Sequence, residues 1–167
     1  MGERLTKSDI EKIEKEIEHR KLVVRKEAIH AVKVARAHGD LSENFEYYAA
    51  KKDKNANESR IKYLERMLKF ATLIDESSKS DEVGINNTVE VLFVEDDEVE
   101  TYRLVTSIRG SSTAGLISIE SPLGKALMGS KVGEKVKVKV RDDFAYDVVI
   151  KKIIKTDDES EDKIKGF

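Results

Sequence analysis

From Ser8 to Ala37 the chain contains neither proline nor glycine, and it carries one apolar stripe at helical spacing. Ile10, Ile13, Ile17, Val24, Ala28, Ala31 and Ala35 recur at spacings of three, four or seven, with Lys, Glu and Arg filling the other face. Thr6 and Ser8 are both candidate N-caps, because a side-chain oxygen can accept from the unpaired N–H groups of a first turn. After Gly39 a second periodic stretch returns. Ile61, Leu64, Leu68 and Ala71 follow one another at spacings of three and four, as in a coiled-coil seam. Upstream, Tyr48, Lys52, Asn55 and Ser59 hold the comparable positions, so the seam should weaken toward the turn. Two helices of about 30 residues joined by a short loop make an antiparallel rod about 45 Å long. Such a rod has little interior and depends on its seam.

Composition narrows the function. Charged residues make up 38% of the chain, with 31 basic against 33 acidic, so the charge is dense but balanced. That suits a long solvated helical surface and argues against a general nucleic-acid binder, which needs a basic excess. There is no cysteine, so neither a disulfide framework nor a cysteine zinc site is available. His19, His30 and His38 all fall in the first helical segment, where a structural or solvated role outweighs metal binding. No run of 18 apolar residues exists to span a membrane. Met1-Gly2-Glu3-Arg4 leads into a charged segment rather than a secretory signal, and a cytoplasmic location is expected.

The pattern changes near residue 76. Residues 1–76 read as the helical hairpin, with an acidic tip at 39–44, and the polar stretch 77–84 reads as a linker. Thr88 to Val94, Glu100 to Val105, Leu116 to Glu120, Val136 to Val140 and Tyr146 to Ile154 have strand character. Ser121 to Gly129 reads as a short helix, with Ser121 as N-cap, Pro122 in the first turn and Gly129 as the stop. Residues 85–155 therefore form a small α+β domain. The acidic tail, 156–167, reads as disordered. Residues 1–75 hold 17 basic and 14 acidic residues, so the net positive charge lies on the hairpin. Arg20, Lys21, Arg25, Lys26, Lys33, Arg36, Lys51, Lys52 and Lys54 form a basic collar behind the tip.

Read locally, Asp40-Leu41-Ser42-Glu43 is an acidic capping box, with Asp40 as the cap of the second helix and Gly39 as the stop of the first. Two carboxylates are also too few for Mg²⁺, which demands near-octahedral oxygen coordination. The longer string decides between these readings. Gly39-Asp40-Leu41-Ser42-Glu43-Asn44, then Glu46-Tyr47, then Ala49-Ala50-Lys51, resembles the tip signature of the Gre family of bacterial transcript-cleavage factors. Ala35-Arg36, Arg60-Ile61 and the stretch Ser121 to Gly129 with Gly133 support it, and the resemblance covers about residues 5 to 155.

The resemblance implies an α+β architecture: an N-terminal antiparallel coiled-coil hairpin and a C-terminal FKBP-like domain. It implies a monomer that binds bacterial RNA polymerase, with the C-terminal domain at the rim of the secondary channel and the hairpin passing down it. Asp40 and Glu43 would help hold the second catalytic Mg²⁺ of the polymerase, the factor having no cofactor of its own. The polymerase would then cleave the 3′ part of a backtracked transcript. Asn44, Tyr47, Arg36, Lys51 and Lys52 would support the tip or contact the polymerase and the nascent RNA 3′ end.

Three positions depart from the family pattern. Phe45 stands where a small residue is common, Asn57 where an apolar one is, and Lys26 where proline is. They leave open a regulator that occupies the channel without cleavage. A prolyl-isomerase reading of the FKBP-like part would need an aromatic-lined pocket. Residues 84–155 offer Phe93, Tyr102, Phe144 and Tyr146, which read more simply as core.

Overall fold

The long proline-free stretch forms helix, but not one uninterrupted α-helix. The computed structural model describes residues 2–39, 44–109, 115–155 and 164. The short strand β1 (Arg4–Leu5) leads into α1 (Lys7–His19), a π-helical segment (Arg20–Val24) and α2 (Arg25–Arg36). After the turn, α3 (Phe45–Phe70) returns and β2 (Thr72–Leu73) follows, pairing with β1 in a two-stranded sheet. Both strands are too short to leave an alternating signal in the sequence.

The chain divides into two units, one built from Lys7–Thr72 and the other from Arg4–Thr6 with Leu73–Gly166. The stretch expected to be a linker, 77–84, lies wholly within the second unit, where Val83 is 1% exposed and Gly84 is buried. The tail beyond 155 lies outside the described residues apart from Ile164.

In the hairpin unit, α3 packs along α1 and α2. Ile13, Ile61 and Leu64 are buried as the apolar spacing requires, whereas beyond them Met67 is buried and the expected Leu68 and Ala71 are only half-buried. Nearer the turn the seam differs from the expectation. Tyr48, Lys52, Asn55 and Ser59 are exposed, whereas Tyr47, Ala50, Lys54 and Asn57 face inward. Counting back from Ile61 by fours and threes gives 57, 54, 50 and 47, the heptad rhythm of two helices that coil round each other. On the first strand of the hairpin Ala31 is exposed and Val32 is half-buried instead.

A polar layer crosses the middle of the hairpin. Glu16 accepts from Arg20 Nε at 2.8 Å and from Arg60 Nε at 2.9 Å. Arg25 donates to both carboxylate oxygens of Glu58, at 2.9 and 2.8 Å. Burial pushes the Glu16 carboxyl up, but the hydrogen bonds from Arg60 and Arg20 outweigh it and hold its pKa below the ordinary carboxylate value. The bond from Arg25 likewise lowers Glu58. A carboxylate whose folded pKa is depressed stabilises the fold above its unfolded pKa and loses that stabilisation as pH falls through the folded one. The melting temperature of the helical signal should therefore drop below about pH 4.5. In Glu16→Gln/Glu58→Gln that acid slope should flatten, and an unchanged slope would show that neither pair matters.

The second unit contains a five-stranded mixed sheet. β3 (Thr88–Phe93), β4 (Glu98–Val105), β5 (Leu116–Ser118), β6 (Lys135–Arg141) and β7 (Phe144–Ile154) lie in the order β5-β4-β3-β7-β6. All pairings are antiparallel except β4 with β5. The short helix α4 (Pro122–Leu127) lies between β5 and β6 in the chain. Ser121 caps α4 by accepting from Gly124 N–H at 3.1 Å, with Pro122 in the first turn as expected. Gly124 is required there, because a Cβ would lie 2.0 Å from the Ser118 carbonyl oxygen. Val89, Val91, Leu104, Leu127, Val138, Val148 and Ile150 are fully buried and make the core. No helix among the described residues is long and apolar enough to cross a membrane.

Candidate functional site

The site predicted from sequence is the turn between α2 and α3. The last turn of α2 tightens as it ends: His38 N–H bonds to the Ala35 carbonyl at 3.1 Å. Gly39 follows with φ +113°, a conformation L side chains rarely adopt. Among the described residues other than its chain neighbours, no atom lies within 4 Å of a Cβ placed there, so it is the backbone conformation that demands glycine. Asp40 and Glu43, expected to be the catalytic and metal-handling pair, lie outside the described residues, together with Leu41 and Ser42.

Asn44 organises the return. Its Oδ1 accepts from Tyr47 N–H at 2.9 Å, satisfying one of the unpaired first-turn donors of α3. Its Nδ2 donates to the Ala35 carbonyl near the C-terminal end of α2. One amide thus ties the two helix ends together. The capping-box reading placed the cap at Asp40, but α3 begins at Phe45 and the cap is Asn44. Asp40, Ser42 and Asn44 all have cap-forming side chains, so the local pattern did not single one out. Asn44→Ala should lower hairpin stability by about 1–2 kcal/mol, because a cap and an interhelical bond go together. Asn44→Asp, which keeps only the acceptor, should recover part of that loss in a thermal melt followed at 222 nm.

Arg36 and Tyr47 pack beside this cap. The guanidinium carbon lies 5.5 Å from the ring centroid. Arg36 Nη2 is 3.5 Å from the hydroxyl, at the long limit for a hydrogen bond, so cation–π contact carries more of the interaction. The bond from Arg36 draws the Tyr47 phenol below its ordinary pKa, and the charge of Lys51 adds to the effect. His38 Nδ1 and Glu46 Oε2 meet at 2.8 Å across the turn, a pairing the sequence reading missed although the two residues flank the turn. Phe45 is 82% exposed.

Seven of the nine collar residues fall into two groups, while Lys26 is exposed and Lys54 lies half-buried in the seam. Arg20, Lys21 and Arg25 pair with Glu16, Glu65 and Glu58 and so belong to the hairpin's own framework. Lys33, Arg36, Lys51 and Lys52 are exposed nearer the turn. There they set positive potential beside the expected acids. Among the described residues, no group of three or more His, Cys, Asp or Glu side chains could hold a metal ion.

In the sheet unit, Phe93 stacks on Tyr146 with centroids 5.9 Å apart, and Phe144 lies against the same ring at 6.2 Å. These aromatics were expected to be core, yet Phe144 is half exposed and lines an open groove with Glu95, Asp96 and Asp147. The reason is position: Phe144 opens β7, where the sheet turns through exposed Asp142 and Asp143. The Tyr102 phenol is pushed up to about 12 by burial and by its hydrogen bond to Glu100.

The two units correspond to two known domains. Residues 3–73 match the GreA/GreB N-terminal domain, "Transcription elongation factor, N-terminal". Residues 77–155 match "Transcription elongation factor, GreA/GreB, C-term". The chain belongs to the GreA/GreB family of transcription elongation factors. It is 42% identical over 153 residues to transcription elongation factor GreA of Streptococcus gordonii, covering 91% of this chain and 95% of that protein. It is 43% identical over 134 residues to GreA of Macrococcus caseolyticus, covering 80% and 85%. Among solved structures it is similar to GreA factor homolog 1 (Gfh1) of Thermus thermophilus. That match has 25% identity and a TM-score of 0.43, and covers 92% of this chain and 99% of that one. Within the GreA/GreB family, the hairpin turn described above is part of the N-terminal domain.

Proposed function

We propose that this family member binds bacterial RNA polymerase through its secondary channel and stimulates endonucleolytic cleavage of the 3′ end of backtracked nascent RNA. Arrested complexes would then resume elongation in the cytoplasm, with the factor acting as a monomer and the polymerase as the catalyst. The observation that carries this reading is the Asn44 cap. The helix cap that Asp40 could have supplied is supplied by Asn44, while Asp40 and Glu43 stand in the same short turn between Gly39 and Asn44.

Two carboxylates supply only part of a six-oxygen shell, so the donor set fits a Mg²⁺ that polymerase groups and substrate phosphates also hold. When bound, such an ion activates water and steadies the leaving oxygen of a phosphodiester. The factor's own residues then have separate tasks. Asp40 and Glu43 bring the negative charge. Asn44 holds the helix ends on either side of them. Arg36, Lys51 and Lys52 present exposed cations suited to RNA phosphates or to an acidic wall, and Tyr47 orients Arg36.

The test is a stalled, backtracked polymerase complex carrying 5′-labelled RNA. Adding the factor should shorten the RNA to a product that extends when nucleotides are supplied, and the factor alone should leave RNA intact. A protein that displaces a known cleavage factor from the polymerase yet yields no shortened RNA would defeat the reading and leave a channel regulator in its place.

A further inference from the structure

The two halves of the first helical segment do not share one rhythm. Up to the start of the π-helical segment the buried or half-buried seam positions are Ile13, Glu16, Ile17 and Arg20, and within it Lys21 and Val24 are half-buried; from Ala28 on they are Ala28, Val32 and Ala35, with Ala31 exposed. Steps of seven from Ile13 reach 20, 27 and 34, but Glu27 and Val34 are exposed. The seam has moved on by one residue, and Arg20–Val24 is where that residue is absorbed. Arg20's carbonyl accepts from Arg25 N–H, five residues on, the bond that defines a π-helical turn. One residue in an α-helix is about 100° of rotation, so α2 is turned by that much relative to an unbroken helix.

Asn57 stands opposite this step and is 4% exposed. Its Nδ2 donates to the Arg20 carbonyl at 3.2 Å, and its Oδ1 accepts from Arg20 Nη1 at 3.0 Å. The sequence also contains the competing rhythm. Ile13, Ile17, Val24, Ala28, Ala31 and Ala35 would line one face of an unbroken α-helix, with Ala31 inward in place of Val32. Two phases of α2 are therefore available, and a buried asparagine at a seam position selects register at some cost in stability.

We propose that Asn57 is a positioning residue: by holding the π-helical step at Arg20–Val24 it sets the rotational phase of α2, and so the direction in which the described end of that arm, Arg36 to Gly39, leaves the seam. Its functional readout rests on the cleavage reading above; its structural readout does not. The chain has no cysteine, so introduced pairs report the phase cleanly. The Arg25–Glu58 and Arg36–Tyr47 contacts place Ala50 across from residues 31–33. Val32→Cys/Ala50→Cys should cross-link faster than Ala31→Cys/Ala50→Cys, and Asn57→Val should reverse that preference.

In the cleavage assay Asn57→Val should lower the maximal rate about 10-fold or more, with the half-saturating concentration of factor unchanged within about 2-fold. Deleting Val23 in the Asn57→Val background removes the extra residue, and should restore both the cross-linking preference and the rate. Circular dichroism checks that Asn57→Val keeps its helices; should it not, Asn57→Ala is read for the same cross-linking ratio. An unchanged preference in the folded variant, or no recovery on deleting Val23, overturns the proposal. If the unsubstituted factor gives no cleavage, the functional reading fails, while the cross-linking result still decides the role of Asn57.

Discussion

On the proposed function, Asp40→Asn and Glu43→Gln should each abolish stimulated cleavage, by about 10²-fold or more, while the factor should still bind the polymerase. Each change keeps the size of the side chain and removes a charge. An amide oxygen is a poor substitute for a carboxylate on Mg²⁺, so the loss falls on the chemical step rather than on docking. In the proposed mechanism the two acids would act on one ion, so the double variant should be scarcely worse than either single one. The concentration of factor giving half-maximal effect should change by less than about 3-fold, because neither substitution alters the hairpin or the sheet unit. Raising Mg²⁺ should partly rescue a single variant, since one carboxylate remains to recruit the ion. Full cleavage by the double variant would remove the acids from the mechanism and with them the proposed function.

The second large effect is on stability. Leu64→Ala should destabilise the hairpin by about 3 kcal/mol, read as a fall in the melting temperature of the helical signal. Leu64 and Ile13 are completely buried and Ile61 is 2% exposed. The hairpin has few such residues, because a pair of helices buries only one stripe of each, so losing one leaves a cavity little else can fill. Leu22→Ala is the control: Leu22 is 55% exposed, and its loss should change stability by less than about 0.5 kcal/mol. Similar effects from the two substitutions would mean that the seam does not run where Leu64 is placed.

Much of this was legible in the chain itself, though not evenly. The strands of the five-stranded sheet and α4 emerge within a few residues of their expected bounds, because valine alternation, Ser121-Pro122 and Gly129 are local signals, whereas β1 and β2 were not legible. The base of the seam is plain at Ile61 and Leu64, while the next seam position is Met67 rather than the expected Leu68, two adjacent apolar residues that hydropathy does not separate. Nearer the turn the seam is polar, and hydropathy does not separate Tyr47, Lys54 and Asn57 from Tyr48, Lys52 and Asn55. Only the partner helix makes that choice, by burying one set. The cap was ambiguous for a similar reason: three cap-forming residues lie within five positions, and the bond from Asn44 to Ala35 crosses nine residues of sequence.

What the sequence settled by itself is the division into a helical hairpin and a small α+β unit, with two acids beside Gly39 in the hairpin's turn. Periodicity, glycine and the order of residue types are properties of neighbours along the chain. The tertiary structure decided the π-helical step at Arg20–Val24, the burial of Asn57 against it, the choice of Asn44 as cap and the parallel pairing of β4 with β5. Each depends on groups far apart in sequence meeting a backbone donor or acceptor that would otherwise go unpaired, and a one-dimensional pattern carries no record of that demand.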